Sequence, residues 1–348
     1  MAANLSTNQN GEVEMWCIGD RNAAWHHLGQ RTPDAQTWEE AAKLAHLDWT
    51  IEKRPLFART PAGVVFQVPD KSGIFRTDNS AYLGTVGSDS AVLQNKLAFD
   101  GIDTLLAARN GAHYESAGVL GKGERIWVMA RIPEAIRIIG TKDESRLFLL
   151  AATGHDGSMA FTYKLVAERV VCENTLTMAL GEAGSVVRVK HTKNAADRMN
   201  AAVRYMAQVT NAASSLSDKF NALAQRKMTR ESYDAVMDRL FPKTEDANQT
   251  RRQGLIESIM GLYESNDKDA IPEIRGTAYN LLNAITEHTD HFRTSRITEG
   301  RKADGYTVDQ ARAENALFGT GDKLKGMALD ALLDLTAKNP ASSLVAAL

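Results

Sequence analysis

The chain of 348 residues predicts an α+β fold: a helix packed on an antiparallel β-meander, followed by a mostly helical C-terminal half. Three observations predict it. Between His113 and Thr153, three β-rich runs are separated by tight turn residues. From about Thr192 onward, apolar residues recur at helical spacing. Between the two lies Thr153 to Thr192, in which a turn (Thr153-Gly-His-Asp-Gly-Ser158), a β-rich run (Phe161–Val166), a short helix and another strand (Val186–Thr192) follow with little filler.

Taken in order, residues 1–14 are small and polar and read as an arm. Thr37 to Leu47 reads as a helix, with Thr37 as N-cap and Glu40 three residues on, a capping box. Trp49 to Phe57 alternates as a strand does. A hairpin is expected from Val64–Val68, the turn Pro69-Asp-Lys-Ser-Gly73 and Ile74–Arg76. Ser90 to Leu106 is amphipathic, with Leu93, Leu97, Ile102 and Leu105 near one face and Ser88, Asp89 and Ser90 as candidate caps. Strands follow at His113–Leu120, Arg125–Ile132 and Arg146–Thr153, with Gly121-Lys-Gly-Glu124 as a hairpin turn. Trp127 alternates with Ile126 and Val128, so it points to the opposite sheet face.

In the helical half, Met199, Ala202, Met206, Val209, Ala213, Leu216, Phe220 and Leu223 step alternately by 3 and 4, a heptad seam. A helix roughly 45 Å long at ~1.5 Å per residue would carry it. Alanine and methionine soften the seam, which favours a cover from later helices of the same chain over a second subunit. Those helices are expected at Arg230–Phe241, Ala247–Ser265, Ile274–Arg293, Val308–Leu317 and Lys323–Ala337. Three units result: residues 1–60, an arm with a small helix and strand; 61–192, an α+β core; and 193–348, a helical region.

The net charge of −2 does not mark the whole molecule as a polyanion binder. Charge is nevertheless uneven. From Val186 to Arg230 there are nine basic residues (Arg188, Lys190, Lys193, Arg198, Arg204, Lys219, Arg226, Lys227 and Arg230) against Asp197 and Asp218, a local net of +7. Clustered arginine and lysine neutralise phosphates and release counterions, giving sequence-tolerant, salt-sensitive binding. A solvated helix face beside an acidic neighbour has the same composition. A single-stranded ligand would add aromatic stacking, with Tyr82, Trp127 and Tyr163 as candidates against their ordinary place in a core. Two cysteines far apart, Cys17 and Cys172, are not a disulfide framework and suit a reducing cytoplasm. No run approaches ~18 apolar residues, so no membrane span is expected.

Chemistry is only weakly signalled. His155-Asp156 with Cys172 and Asn174 has the residue types of a thiol hydrolase, in which a histidine lowers the thiol pKa. Cys172, however, follows Val170-Val171 in a β-branched run that suits an inert buried cysteine, and Asp156-Gly157-Ser158 reads equally as a turn. Glu287 and His291 are four apart on an expected helix, but a metal needs three or four convergent ligands. Gly319-Thr-Gly-Asp-Lys323 lacks the spacing and preceding strand of a phosphate-binding loop and reads as a turn before a helix. No catalytic residue, metal or cofactor is expected.

Several motifs together resemble a known family. They are Trp25-His26 with Gly29, Leu47-Asp48-Trp49, Gln94-Asn95, Gly123 with Trp127, His155-Asp-Gly-Ser158, Arg169-Val-Val-Cys-Glu-Asn-Thr-Leu176, His191-Thr192 and Asn283-Ala284 with Thr286-Glu287. The chain resembles the phage/plasmid-like protein family, a domain formerly of unknown function carried on phages, plasmids and integrated elements. His27 departs from the small residue of that pattern, and Tyr279 and His288 from its tryptophan and tyrosine. In outline the chain is also similar to single-strand annealing proteins of the Rad-fifty-two, Erf and Redβ type, an analogy at the level of fold.

The resemblance implies a non-enzymatic protein that binds and anneals single-stranded DNA in recombination. It would act as a ring or filament of identical subunits in the host bacterial cytoplasm, alongside a phage exonuclease or host single-strand-binding protein. Arg125, Arg131, Arg169, Arg188, Lys190, Lys193 and Arg198 would take phosphates, and Trp127 or Tyr163 would stack on bases. The alternative is a mobile-element accessory or anti-defence factor that binds a host protein.

Overall fold

The computed structural model describes residues 8, 10–18, 30–32, 35, 37–107, 111–169, 175–178, 187–192, 194–195, 197, 209–243, 249–265, 271–299, 302 and 308–338. Its strands are β1 (Met15–Ile18), β2 (Gln30–Thr32), β3 (Ile51–Arg59), β4 (Val65–Arg76), β5 (Tyr82–Gly87), β6 (His113–Leu120), β7 (Arg125–Arg137), β8 (Glu144–Gly154), β9 (Phe161–Arg169), β10 (Thr175–Met178) and β11 (Val187–Val189). The helices are α1 (Trp38–Leu44), α2 (Lys96–Ala107), α3 (Val209–Gln225), α4 (Arg230–Leu240), α5 (Gln249–Glu264), α6 (Ala278–Glu287), α7 (Val308–Phe318) and α8 (Thr320–Lys338). This is the α+β class, with helices concentrated in the C-terminal half.

Two sheets organise the molecule. The larger has the order β10-β9-β8-β7-β6-β1-β2, with β11 also pairing β9; the smaller is β3-β4-β5. Pairing in the large sheet is antiparallel except between β1 and β2. The expected meander β6-β7-β8 forms around Gly121-Lys-Gly-Glu124, whose glycines take φ of +72° and +118°, the left-handed region that glycine enters without a Cβ clash.

Both faces of the meander are covered, which explains why Leu147 to Ala152 is apolar without alternation. One face presents Ile126, Val128, Ala130, Leu147, Leu149 and Ala151 to α1, α2 and the small sheet. The other presents Trp127, Met129, Phe148, Leu150 and Val166, with Phe318 of α7 packed against them. Trp127 therefore does oppose Ile126 and Val128. Burial of these large apolar side chains on both faces supplies the main driving force, ~25 cal/mol per Å² of apolar surface removed from water.

Several elements depart from expectation for identifiable reasons. β4 runs straight through Pro69–Gly73: Asp70 adopts φ +55° and the β3–β4 ladder shifts register between Pro55 and Phe57, so the turn-forming residues are absorbed as an irregularity within a strand. The true hairpin turn is Thr60–Val64, closed by Thr60 N–H to Val64 O at 2.9 Å, with Gly63 at φ +87°. α2 starts at Lys96, because Gln94 and Asn95 spend their amides on the backbone of residues 47–51. The expected helix over 274–293 is α6 followed by a π-helical turn, His288–Phe292, in which Arg293 N–H donates to His288 O at 2.7 Å.

Of the heptad seam, Met199, Ala202 and Met206 lie outside the described residues. The described part, Leu216, Phe220 and Leu223, is buried within the chain, and the Phe220 ring lies 5.3 Å from that of Tyr279 on α6. β1 pairs with β6, and the β3–β4 hairpin straddles the boundary expected at residue 60.

Candidate nucleic-acid interface

The motif residues at Trp49, Gln94-Asn95, Gly123 and His155–Gly157 converge where the small sheet meets the large one. Arg76 at the end of β4 is 1% exposed and uses all five of its N–H donors. Two go to the Glu14 carboxylate (2.7 and 3.0 Å), two to Asp78 (2.7 and 3.0 Å) and one to Lys122 O at 3.2 Å. Burial alone would lower the Arg76 pKa, but the bonds to Glu14 and Asp78 outweigh it and leave the pKa raised.

The guanidinium lies 4.1 Å from the ring centre of Trp49, and Trp49 meets the His155 ring edge-on at 5.7 Å. At Gly123 a Cβ would stand 3.0 Å from Arg76 Cδ and 3.2 Å from Trp49 Cη2, so a side chain here would push into the stacked pair. His155 is buried. Its Nε2 lies 2.8 Å from Asn95 Oδ1, while Asn95 Nδ2 donates to Leu47 O and Trp49 O, both at 3.0 Å. The amide orientation makes Nε2 the protonated nitrogen of His155. Burial, and after it the neighbouring His191 and Arg76, lower its pKa to about 3, so the ring is neutral at ordinary pH.

Asp156 accepts from Ser158 N–H at 2.9 Å and from Ser158 Oγ–H at 2.6 Å, the turn read from the sequence. Against its backbone lies Gly84 of β5, where a Cβ would come within 2.7 Å of Asp156 Cα. His191 accepts or donates at 3.0 Å to Thr153, and its carbonyl accepts from Ala91 N–H at 3.1 Å. This node is a joint. It fixes the small sheet on the large one, with Arg76 and His155 buried between them.

What the joint presents is the outward side of the small sheet. Arg54 lies 4.9 Å over the Phe75 ring, and Phe75 lies 5.4 Å from Tyr82, whose side is 48% exposed. Beyond them the β3–β4 hairpin projects with Phe57 62%, Val64 61%, Val65 61% and Phe66 47% exposed, alongside exposed Arg59 and Lys71. Sequence reasoning named Tyr82 but missed Arg54, Phe57 and Phe66. Their signal was an aromatic or cation every few residues in a strand with no helix predicted over it.

The residues chosen from the sequence fare unevenly. Trp127 is a correction: it is 0% exposed, its indole lying across Gly118, where a Cβ would stand 2.9 Å from Cζ2. Tyr163 is another. It is 0% exposed, 5.0 Å from the Phe161 ring, and its hydroxyl pKa is raised by burial. Neither ring has a face for a base. Arg125 is half-buried and paired with Glu314 of α7, and it donates to Ser158 Oγ at 3.1 Å. Arg131 is half-buried on the same sheet face. Arg188 and Lys190 are exposed at β11. The side chain of Arg169, and the whole of Lys193, Arg198, Cys172 and Asn174, lie outside the described residues.

Of the local excess of positive charge, the described residues place Arg188 and Lys190 at β11, Lys219 on α3, Arg226 and Lys227 between α3 and α4, and Arg230 at the start of α4; Arg230 pairs with Asp234 at 3.1 Å and Lys227 donates to Arg275 O at 2.7 Å. Among the described residues no three His, Cys, Asp or Glu side chains gather as metal ligands. No described helix is long and apolar enough to cross a membrane.

The fold and joint define an α+β protein with an exposed accessory sheet. Residues 82–316 match the family described as a domain of unknown function, DUF932, and the chain belongs to that family. The match begins at Tyr82, the first residue of β5, and so spans β5 together with the Gln94-Asn95 and His155 parts of the joint. No curated protein and no solved structure matches significantly.

Proposed function

We propose that the protein is a non-enzymatic, single-stranded-DNA-binding and annealing protein of a phage or mobile element, acting as an oligomer of identical subunits. The observation that carries this reading is the exposed small sheet: Phe75 and Tyr82 share a face with Arg54, which pairs with Glu52, and the β3–β4 hairpin beyond them exposes Phe57 and Phe66 on its two opposite faces, with Arg59 and Lys71 exposed alongside. Unstacked bases gain ~1–3 kcal/mol each on exposed rings, and interleaved cations hold the phosphates between them. A strand held this way keeps its pairing edges outward, which annealing requires. Arg188 and Lys190 would extend phosphate contact from the large sheet.

Anisotropy of a labelled oligothymidylate across a salt series tests it. Affinity should fall steeply with salt. Phe66→Ala and Tyr82→Ala should each weaken binding about 5- to 100-fold, and Arg54→Ala should reduce the magnitude of the salt slope by about one. Absence of saturable binding, or variants that bind like the wild type, would overturn the reading.

A second reading has its own support. Val64 and Val65, both 61% exposed at the hairpin tip, are aliphatic and cannot stack on bases. Such a tip suits a protein partner, as a host-directed accessory or anti-defence factor would need. Val64→Asp would then abolish complex formation with that partner and leave oligonucleotide affinity unchanged.

A further inference from the structure

Two features of the chain stay open to solvent, and they complement each other. The first is the tip of the β3–β4 hairpin. Antiparallel pairing sets Phe57 opposite Gln67 and Arg59 opposite Val65, so Phe57, Arg59 and Val65 stand on one face, away from Phe66 opposite Ala58. Phe57 is 62% and Val65 61% exposed, and Arg59 is exposed with them. Arg59 donates to Gly63 O at 3.3 Å across the turn and forms no salt bridge among the described residues. The tip thus presents an apolar pair around one unneutralised cation.

The second is a cleft of about 510 Å³ where the start of α1, the end of α2 and the start of β6 meet. Clefts of ~300–1,000 Å³ are large enough to bury a group the size of several side chains. Ala35, Trp38, Leu106 and Ala107 line it with apolar surface, and Glu39 and Asp103 with negative charge. Glu39 is exposed in the first turn of α1 and forms no salt bridge among the described residues. Asp103 is half-buried and accepts from the Tyr114 hydroxyl; burial raises its pKa against that bond, and Glu39 and Asp100 raise it further. The neighbouring bases are committed, Lys96 to Asp100 and the Trp38 ring at 4.8 Å, and His113 to Glu115 at 3.2 Å.

We propose that the β3–β4 hairpin of one subunit seats in this cleft of a second copy, with Phe57 and Val65 against Trp38, Leu106 and Ala107, and Arg59 against Glu39 and Asp103. The inference rests on the oligomer of identical subunits proposed above and names its contact. The occupant is a second copy because hairpin and cleft belong to the same chain and match in both apolar character and sign of charge. Two different surfaces meet, so the interface is heterologous and joins subunits head to tail, into a ring or a filament. Phe57 is then committed to the contact, and Phe66, Phe75 and Tyr82 remain for a strand.

Sedimentation velocity of the full chain without DNA is the test, with substitutions at two exposed positions: Val65→Asp on the hairpin and Ala107→Trp, which fills the cleft. The wild type should form oligomers, and each variant should be monomeric. An equal mixture of the two should form dimers and nothing larger, because the intact cleft of one takes the intact hairpin of the other. Arg59→Glu should weaken self-association about tenfold or more by setting like charges together, and adding Glu39→Arg should recover part of the loss. A monomeric wild type, a variant that assembles as the wild type does, or a mixture that stays monomeric would overturn the proposal. Should either variant fold poorly, Val65→Cys combined with Ala107→Cys decides instead: a ladder of disulfide-linked multimers that needs both cysteines supports the contact, and no such ladder overturns it. Oligothymidylate anisotropy on the same samples keeps the two readings apart. Absent DNA binding removes the annealing function and leaves the contact standing, whereas a failed contact leaves the stacking platform untouched.

Discussion

His155 and Arg76 show how single residues set the behaviour of the joint. His155 is neutral in the folded protein with its pKa lowered to about 3, whereas an unfolded histidine titrates near 6.5. Below about pH 6.5 the unfolded chain therefore binds a proton that the native ring refuses. The stability this contributes is complete above pH 6.5 and is lost as pH falls toward 3, by about 1.4 kcal/mol per pH unit at most. His191 and His288, whose pKa values burial also lowers, act in the same direction. Tm of the wild type should fall between pH 7 and 5. His155→Gln, which keeps a donor for Asn95, should flatten that slope; an unaltered slope would show that the ring is protonated in the native state. Trp49, Asn95, Gly123 and His155 were legible because their motifs stand in the sequence. Glu14 and Arg76 were not, because their bond joins residues 62 apart and neither belongs to a motif.

Among elements, α3 and the β3–β4 hairpin carry opposite lessons. The seam on α3 was legible as period, and its soft composition indicated an in-chain cover. α6, through Tyr279, contributes to that cover, leaving Phe220 3% exposed. Phe220→Ala should thus lower the unfolding free energy by about 3–5 kcal/mol, equally at low and high protein concentration. A loss that shrinks as concentration rises would mean that a second subunit covers the seam. The hairpin was legible in kind but not in register. Its strongest turn residues, Pro69-Asp70, sit inside a strand, since the bulge opposite Pro55 satisfies the same local preferences without reversing the chain.

For the whole molecule, the decisive relation is between the second face of the large sheet and the C-terminal helices. Glu314, Phe318 and Asp322 lie four residues apart along α7 and α8. They meet Arg125, the apolar face around Trp127, and Lys164, with Lys164 Nζ 5.9 Å from the Phe318 ring. Burial lowers the Lys164 pKa and raises that of Asp322, so their mutual attraction must offset desolvation on both sides. Lys164→Met alone should cost about 3 kcal/mol by stranding the carboxylate. Lys164→Met with Asp322→Leu should return to within about 1 kcal/mol of the wild type. A double variant no more stable than the single one in urea unfolding would show that the pair is not what is being compensated.

The amino-acid sequence by itself determined the fold class, the meander with its glycine turn, the opposite facing of Trp127 and the helical half. Each of these follows from side-chain period and turn chemistry within a few neighbouring residues. Only the tertiary structure decided that Trp127 and Tyr163 are core, that Arg125 faces a carboxylate nearly two hundred positions away, and that part of the small sheet stays exposed. Burial and charge pairing depend on which distant segments come together, and no local pattern encodes that.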